Sequence, residues 1–261
     1  MQQSTHDRAA GPRILALWSA PRSRSTAFFR MMAERGDFQP VHEPFSVLAE
    51  QGVTEVGGRQ LRDEAAVLAA LRELAGQRPV FFKDTTDARY PGVLADDAFL
   101  ATDATHVFLI RHPRLTVPSY HRLNPEVGRD NIGFGNLHEI FTAVRERTGR
   151  IPVVLDAEEL VADPRTAVKL FCAAIGVPFD PSALTWAPGD RSEWRATRRW
   201  HVEVSRSDGL RATVPTSTVD VDADPVLRDH VAHNLPCYEA LYAHRLRVAP
   251  QPSSLRPDPA T

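Results

Sequence analysis

Cysteine and long apolar stretches are both scarce in this sequence. Its 261 residues include two cysteines, Cys172 and Cys237, which form no CxxC pair. Two isolated thiols cannot build a disulfide framework, so a reducing compartment is expected. No stretch approaches the ~20 consecutive apolar residues of a membrane span, and the N-terminus lacks the apolar core of a secretory signal. The sequence therefore predicts a soluble cytoplasmic protein with no membrane partner.

The sequence also lacks an excess of charge of either sign. It has 31 Lys and Arg residues against 33 Asp and Glu residues, a formal net charge of -2. We therefore expect no dominant surface for nucleic acid or for anionic lipid. The length suffices to bury one core without disulfides or a structural metal. We predict a single domain at residues 13–248, between a flexible tail at 1–12 and a flexible proline-rich tail at 249–261.

Short apolar runs alternate with amphipathic segments along this domain. The runs are rich in Val, Ile, Leu and Phe, which is typical of strands buried on both faces. They occupy residues 14–19, 80–83, 106–111 and 153–155. Apolar residues spaced three and four apart predict helices. These lie at 27–35, 67–75, 137–144 and 164–175, with Gly36, Gly76 and Gly176 as C-terminal stops, and a further helical region follows Val226 with an interruption at Pro236.

This alternation predicts the fold class. Strands that alternate with helices favour an α/β fold with a parallel β-sheet flanked by helices on both faces. Ligands bind to such sheets beyond the carboxyl ends of the strands. A site is therefore expected in the loops after Trp18, Lys83 and Ile110.

The first of these loops has the composition of an anion site. It has the sequence Pro21-Arg22-Ser23-Arg24-Ser25-Thr26 and leads into a predicted helix. Free amide groups and the positive end of the helix dipole converge at such a place. The loop lacks the glycines and the lysine of a GxxxxGK[ST] motif, so it is not a kinase-type phosphate loop. A capped helix with two exposed arginines is an alternative explanation.

The second loop pairs an arginine with a serine. Arg111 ends a predicted strand, and Ser119 follows eight residues later in a short helix distorted by Pro118. The two side chains can reach one phosphate, which Arg would contact with two charge-assisted hydrogen bonds and Ser with one hydroxyl. An ion pair between Arg111 and a nearby carboxylate is the alternative.

Together the two loops resemble the sulfotransferases that use 3′-phosphoadenosine 5′-phosphosulfate (PAPS). In that family a loop of the type PRSGST or PKSGTT holds the 5′-phosphosulfate, and an Arg and a Ser eight residues apart hold the 3′-phosphate. The acidic turn and Asp-Pro-capped helix between Val153 and Gly176 also resemble the family, as does Pro236–Tyr242 more weakly. The resemblance covers roughly residues 13–180. It implies a P-loop NTPase-like sulfotransferase fold.

The resemblance also implies which residues bind PAPS. In the two loops these are Arg22, Ser23, Arg24, Ser25, Thr26, Arg111 and Ser119. A basic loop that the family closes over the 3′-phosphate is matched by Arg206, Ser207 and Gly209. Arg24 stands where the family usually has glycine, so the backbone is expected to take an unstrained conformation there.

Sulfuryl transfer needs a base for the acceptor proton and positive charge at the reacting groups. The resemblance assigns Arg22 to the leaving group and Glu43, in an EP element, to the base. Helix capping or an ion pair is the alternative for Glu43. His42 is the competing base, because the ordinary imidazole pKa lies near neutrality, and Asp84 is the next carboxylate. Lys83 stands near the place where cytosolic family members have a histidine base, and it either contacts the sulfuryl oxygens or is solvated.

The sequence predicts no metal. No cluster of His, Cys and carboxylate residues has metal-ligand spacing. A sulfuryl group carries less charge than a phosphoryl group, so basic side chains can suffice where phosphoryl transfer uses a cation. Trp186, Trp194 and Trp200 either line an acceptor pocket or belong to the core.

We therefore predict metal-independent, in-line sulfuryl transfer from PAPS to a hydroxyl or amine of a small-molecule acceptor. The product of the donor is 3′-phosphoadenosine 5′-phosphate (PAP). One alternative is an ATP-dependent small-molecule kinase, against which the missing lysine and the 3′-phosphate elements argue. Another is a non-catalytic nucleotide-binding protein, which would be favoured if Glu43 and His42 faced away from the Arg22 loop. Neither the acceptor nor the oligomeric state has a signal in the sequence.

Overall fold

A parallel β-sheet forms the centre of the protein in a computed structural model, which describes residues 11–212 and 219–248. Apart from Gly11 and Pro12, the two predicted tails lie outside the described residues. The strands are β1 (Ile14–Ser19), β2 (Gln39–His42), β3 (Thr54–Val56), β4 (Arg59–Leu61), β5 (Val80–Thr85), β6 (Ala104–Ile110) and β7 (Val153–Asp156). Five of them form the parallel sheet in the order β2-β5-β1-β6-β7, while β3 and β4 form a small antiparallel hairpin.

Helices connect the strands. They are α1 (Ser25–Arg35), α2 (Pro44–Gln51), α3 (Glu64–Gln77), α4 (Pro91–Ala95), α5 (Pro113–His121), α6 (Phe134–Thr148), α7 (Ala157–Ala162), α8 (Pro164–Ile175), α9 (Val202–Ser205) and α10 (Pro225–Tyr242). Segments of 3₁₀ helix lie at Arg129–Ile132, Pro181–Leu184 and Ser192–Trp200, and a π-helical turn lies at Phe99–Asp103. In the part of the chain that the structure describes, no helix has both the length and the apolar character needed to cross a bilayer.

Both faces of the sheet are buried, as β1 shows most clearly. Ile14, Ala16 and Trp18 belong to one hydrophobic cluster, which includes residues of α3, α6 and α10. Leu15 and Leu17 belong to a second cluster with residues of α1 and α8. Because successive side chains of a strand point to opposite faces, the continuous apolar run of β1 fills both layers. The predicted α/β fold, with a parallel sheet flanked by helices on both faces, is confirmed.

The strand predictions missed β2. Its sequence, Gln-Pro-Val-His, has no apolar run, and it pairs with β5 alone at one edge of the sheet. An edge strand tolerates proline because one of its sides forms no ladder hydrogen bonds. The prediction for β5 stopped at Lys83, whereas the strand continues through Asp84 to Thr85.

Two predicted helix boundaries were wrong. Gly76 lies inside α3 rather than ending it, and Arg78 is the C-cap. Pro236 does not interrupt α10, which runs through it because buried residues on both sides, such as Val231 and Leu241, hold the helix against the core. In contrast, Asp163 caps α8 by accepting the amide of Thr166 at 3.1 Å, as predicted from its sequence, and Gly176 ends that helix.

Gly133 fixes the chain next to the end of β5. It has φ +90°, and an added Cβ would lie 2.7 Å from the carbonyl oxygen of Thr86. Gly149 also has a positive φ, +66°, but a Cβ there would meet nothing within 4 Å. We expect Gly149→Ala to lower the free energy of unfolding by about 1 kcal/mol, from backbone strain alone. Gly133→Ala should cost about 2–4 kcal/mol, because a steric overlap adds to the strain. Urea unfolding of both variants tests this, and equal losses would contradict it.

Candidate active site

A cavity of about 780 Å³ lies at the carboxyl ends of the parallel strands. Its walls come from the loop after β1, the start of α2, the end of β5, α5 and residues 197–211. The predicted site residues that line it are Arg22, Arg24, Ser25, Thr26, Glu43, Lys83, Arg111, Ser119, Ser207 and Gly209. Three others, Ser23, His42 and Arg206, are not part of its lining.

The loop between β1 and α1 has a strained backbone. Arg22 has φ +67° and Arg24 has φ +62°, both in the left-handed region. The expectation of an unstrained backbone at Arg24 is therefore wrong: the chain turns sharply into α1, whose first residue is Ser25, and adopts there a conformation that glycine adopts more readily. Such strain costs about 1–3 kcal/mol per residue and persists only where the surroundings hold it in place.

Arg22 joins the two predicted anion-binding loops. Its Nε donates to Ser119 Oγ at 3.1 Å, its Nη1 donates to the carbonyl of Trp200 at 3.0 Å, and Glu203 lies 3.7 Å from its Nη2. The side chain is 14 % exposed, so it is not the exposed arginine of the alternative explanation. Burial lowers the pKa of Arg22 from its ordinary value, and the nearby Arg122 and Arg111 also lower it while Glu203 opposes them.

Arg24 and Arg111 hold a carboxylate between them. Glu158 Oε1 accepts from Arg24 Nε at 3.1 Å and from Arg111 Nε at 2.7 Å. Burial alone would raise the pKa of Glu158, but the charges and hydrogen bonds of Arg111 and Arg24 outweigh it and lower that pKa. Arg111 therefore forms the ion pair of the alternative explanation, and it does so at a place where two guanidinium groups bind one oxyanion.

Ser23 belongs to the loop but not to the lining of the cavity. Its side chain is fully buried, and its Oγ has no hydrogen-bond partner among the described residues. Ser25 and Thr26 face the cavity instead, at the first turn of α1. Because the first amide groups of a helix lack intrahelical acceptors, this turn offers further donors to an anion.

Glu43 and Lys83 form a buried ion pair in the cavity wall. Lys83 Nζ donates to Glu43 Oε1, and the side chains of Lys83 and Glu43 are 1 % and 8 % exposed. The parallel pairing of β2 with β5 produces this contact, because the amide of Glu43 continues the ladder by donating to the carbonyl of Lys83 at 2.8 Å. Glu43 has φ +48° and forms no side-chain cap on α2. The solvated alternative for Lys83 is therefore wrong.

Asp84 accepts backbone hydrogen bonds at the start of α2. Its Oδ2 accepts the amide of Phe45 at 2.7 Å, and its Oδ1 accepts the amides of Ser46 and Thr85 at 3.0 Å. It is fully buried and does not line the cavity. Asp84 therefore holds the N-terminus of α2, and with it Glu43, in position.

His42 lies outside the cavity lining although it was the competing base. Its side chain is 1 % exposed and packs edge-on against Phe29 and His201, with ring centroids 4.9 and 4.8 Å away. Burial lowers the pKa of His42 well below its ordinary value, and the charge of Lys83 lowers it further. Successive side chains of an extended chain alternate between its two sides, so Glu43 lines the cavity while its neighbour His42 faces the core.

His201 is a site residue that sequence reasoning missed. It lines the cavity while only 3 % exposed. Its Nδ1 lies 2.9 Å from Thr26 Oγ1 and its Nε2 lies 3.0 Å from Thr197 Oγ1. Burial, followed by the charge of Lys83, lowers the pKa of His201 to about 2, so the ring is neutral. Thr26 and His201 are 175 residues apart, and no local pattern marks the histidine.

Three possible metal ligands meet at this place. Donor atoms of His42, Glu43 and His201 lie within 4.8 Å of one another, a grouping that spacing along the sequence did not reveal. The carboxylate already pairs with Lys83, and both ring nitrogens of His201 already have hydroxyl partners. A divalent ion would have to displace these contacts and lie beside an ammonium group, so the donor set favours an ion-pair cluster over a metal centre.

The predicted basic loop is only partly at the cavity. Arg206 is exposed, whereas Ser207 and Gly209 reach the wall. Ser207 Oγ is occupied, since it accepts from Trp186 Nε1 at 3.2 Å and donates to a carbonyl at 2.8 Å. A Cβ at Gly209 would lie 2.7 Å from the carbonyl of Leu184, so this glycine permits close backbone packing. Of the three residues predicted in this loop, only Ser207 and Gly209 are therefore part of the cavity lining.

The tryptophans divide between core and cavity. Trp186 and Trp194 are buried in a hydrophobic cluster with α1 and α8, and Trp194 Nε1 donates to Asp190 at 2.7 Å. Trp200 lines the cavity, where its ring lies 5.7 Å from that of Tyr120. Only Trp200 of these three is therefore positioned to contact an acceptor.

Two curated proteins of Arabidopsis thaliana are similar to this chain. Branched-chain-amino-acid aminotransferase-like protein 1 is 29% identical over 96% of this chain and 45% of that protein. Branched-chain-amino-acid aminotransferase-like protein 2 is 27% identical over 95% of this chain and 44% of that protein. The chain spans less than half the length of these relatives.

Among solved structures, a sulfotransferase from Alicyclobacillus acidocaldarius has a similar fold. It superposes with a TM-score of 0.52 at 18% identity, over 91% of this chain and 98% of that chain. This similarity establishes the fold predicted from the two loops. A family model for the sulfotransferase domain also matches residues 12–245. Since that match covers most of the sequence, the chain belongs to the sulfotransferase-domain family.

Proposed function

We propose that this protein transfers a sulfuryl group from PAPS to a hydroxyl or amine of a small-molecule acceptor. In the reaction a bond forms between the acceptor oxygen or nitrogen and sulfur. The bond between sulfur and the phosphate oxygen breaks, and its electron pair stays with that oxygen, which leaves as part of PAP. The acceptor proton goes to a base on the protein and then to solvent.

The convergence of two loops on one cavity carries this proposal. Arg22 and Arg24 come from the loop after β1, and Arg111 and Ser119 come from the loop and helix after β6. Arg22 contacts Ser119, and Arg111 Nη1 donates to the carbonyl of Arg22 at 3.3 Å. A donor with phosphate groups at both ends of a nucleoside suits such a double set of donors, because guanidinium groups bind phosphate with two hydrogen bonds.

Glu158 supports this fit by acting as a stand-in anion. Its carboxylate is held by Arg24 and Arg111, and it is 41 % exposed. A group that is this accessible can be displaced by a phosphate, which carries more charge and more acceptor oxygens. We therefore assign Arg24 and Arg111 to phosphate recognition.

Glu43 is the proposed base. Its Oε1 is engaged by Lys83, while its Oε2 lies 3.9 Å from His201 Nε2 and 3.6 Å from His42 Nδ1. Both rings are buried and uncharged, so Oε2 is the place where the acceptor proton can be received. Lys83 fixes the carboxylate and adds positive charge beside the transferring group.

Arg22 is the proposed stabiliser of the leaving group. It is buried, charged and fixed by three contacts, so it need not reorganise as negative charge develops on the phosphate oxygen. Such fixed cations can do for a sulfuryl group what Mg²⁺ does in phosphoryl transfer, because the sulfuryl group carries less charge. The proposed transfer is therefore metal-independent.

Neither alternative function gains support from the site. A non-catalytic binding protein would be favoured if Glu43 and His42 both faced away from the Arg22 loop; His42 is not part of the cavity lining, but Glu43 lines the same cavity as Arg22. A kinase with this fold would need a lysine in the loop after β1, and this loop has none. Lys83 does not replace it, because Lys83 is bound to Glu43.

The proposal is tested by removing the guanidinium of Arg111. AMP lacks the 3′-phosphate of PAP, so Arg111→Ala should weaken PAP binding at least ten-fold, about 1.4 kcal/mol, and AMP binding less than three-fold. Calorimetric titration of wild type and variant with both nucleotides measures this. Arg89→Ala, a surface arginine paired with Glu139, is the matched control and should change neither affinity. Equal losses for PAP and AMP would place Arg111 away from the 3′-phosphate.

A further inference from the structure

One wall of the cavity is acidic. Glu43, Glu50 and Asp87 line the cavity together with Tyr120. We call these three carboxylates the acidic wall. Burial raises the pKa of Tyr120, and the charges of Asp87, Glu50 and Glu43 raise it further while a hydrogen bond with Asn124 lowers it.

Two members of the acidic wall have cations of their own. Glu43 pairs with Lys83, and Glu50 Oε1 accepts from Arg199 Nη2 at 3.4 Å. Asp87 forms no ion pair within residues 11–212 and 219–248, and its Oδ1 is buried there without a hydrogen-bond partner. Of the three carboxylates, Asp87 is therefore the one without an ion pair among the described residues.

Hydrogen bonds hold the backbone at Asp87 and at the residue before it. The carbonyl of Asp87 accepts from Asn131 Nδ2 at 3.1 Å, and the hydroxyl of the preceding Thr86 donates to the carbonyl of Gly133 at 2.8 Å. Burial raises the pKa of Asp87 above its ordinary value although a hydrogen bond from Thr85 lowers it, and the charges of Glu43 and Lys83 act in opposite directions. Asp87 lines the cavity and is only partly buried, so a positive group of a ligand can approach its carboxylate from that side.

The ring of Trp200, which packs against Tyr120, already binds a cation. The guanidinium of Arg199 lies 4.8 Å from the ring centroid of Trp200, and Tyr120 packs edge-on against the same ring. Aromatic faces attract ammonium and guanidinium groups. The wall that contains Asp87 is therefore suited to a positive group in both its charge and its rings.

We propose, resting on the sulfuryl transfer proposed above, that the acceptor is an amino alcohol or aminophenol whose cationic nitrogen pairs with Asp87 while its hydroxyl faces Glu43. The hydroxyl oxygen forms the bond to sulfur, and its proton goes to Glu43. The nitrogen remains a cation throughout and takes no part in the transfer. This narrows the acceptor group from hydroxyl or amine to hydroxyl.

Pairs of alcohols that match in shape and differ in charge test this inference. Choline and 3,3-dimethylbutan-1-ol have the same shape, but choline carries a positive charge. Tyramine and 4-propylphenol form a second such pair, in which tyramine is the cation. Binding of each compound to the PAP-loaded protein is measured by calorimetry, and sulfur-35 transfer from labelled PAPS is measured in parallel. We expect the cationic member of at least one pair to bind at least ten-fold tighter and to be the better acceptor.

Two variants assign the preference to one carboxylate. Asp87→Asn should reduce the ratio of cationic to neutral affinity to less than three, whereas Asp97→Asn should leave that ratio within three-fold of wild type, because Asp97 is an exposed carboxylate paired with Arg147 and is not part of the cavity lining. The ratio of cationic to neutral affinity can be measured on the wild-type protein alone. The inference therefore stays testable even if Asp87→Asn does not fold. Equal or weaker binding of the cationic members, or no binding of any compound, overturns it if PAP still binds. Loss of PAP binding itself would instead contradict the proposed function.

Discussion

Turnover of Glu43→Gln should fall by about 10²–10⁴-fold, the usual contribution of a general base. Glutamine keeps the size of the side chain and an oxygen for Lys83, but it cannot take the acceptor proton. PAP affinity should remain nearly unchanged, because the phosphate-binding arginines lie in other loops. The measurement is the rate of sulfuryl transfer at saturating PAPS, with a PAP titration and thermal unfolding of the same sample.

Two variants serve as controls for this result. Glu50→Gln changes another carboxylate of the same wall and should lose less than ten-fold, since Glu50 is paired at the cavity rim with Arg199. His42→Gln should lower stability more than turnover, because His42 is buried against Phe29 and is not part of the cavity lining. Near-normal turnover of Glu43→Gln with an inactive His42→Gln would transfer the role to the histidine. Activity in both variants would place the base outside this segment; Asp84, the next carboxylate in the sequence, is fully buried and does not line the cavity, so Asp87 would be tested next.

Turnover of Arg22→Ala should fall by about 10²–10³-fold, the typical effect of removing one fixed group that stabilises developing negative charge. Arg22→Lys should stay within about ten-fold of wild type, because a lysine restores the charge although not the bonds to Ser119 and Trp200. Both substitutions place a side chain at φ +67°, so the backbone strain is the same and the comparison isolates the charge.

The split between binding and turnover decides the role of Arg22. An arginine that stabilises the leaving oxygen should affect turnover more than PAP affinity, since it acts most strongly in the transition state. PAP titration and sulfuryl transfer are measured on the same preparations. A large loss of PAP affinity with normal turnover at saturation, or an inactive lysine variant with full PAP binding, would contradict the assignment.

The sequence predicted the centre of the fold better than its edge. β1 could be located to the residue because its first five side chains, from Ile14 to Trp18, are all apolar and fill both layers. β2 could not, because an edge strand that contains Pro40 and is only partly buried carries no such pattern. Pro236 misled the prediction of α10, because tertiary packing outweighs the local penalty of a proline.

The candidate site shows a similar division. Arg22, Arg111 and Ser119 were predicted because they belong to motifs that follow strands, and they lie together in the cavity. His201 was missed because its partners come from distant parts of the chain. The left-handed backbone of Arg24 could not be foreseen either, since an arginine carries no signal for that conformation and is held there by its surroundings.

Nucleotide selectivity of the wild-type protein tests the central claim most directly. PAP, AMP and ATP are titrated calorimetrically into the protein in the presence of EDTA. If the cavity binds the 3′-phosphate through Arg111 and Ser119, PAP should bind without a metal ion and at least ten-fold tighter than AMP, a difference of about 1.4 kcal/mol or more. Equal affinities for PAP and AMP, or binding that appears only when Mg²⁺ replaces EDTA, would contradict the account.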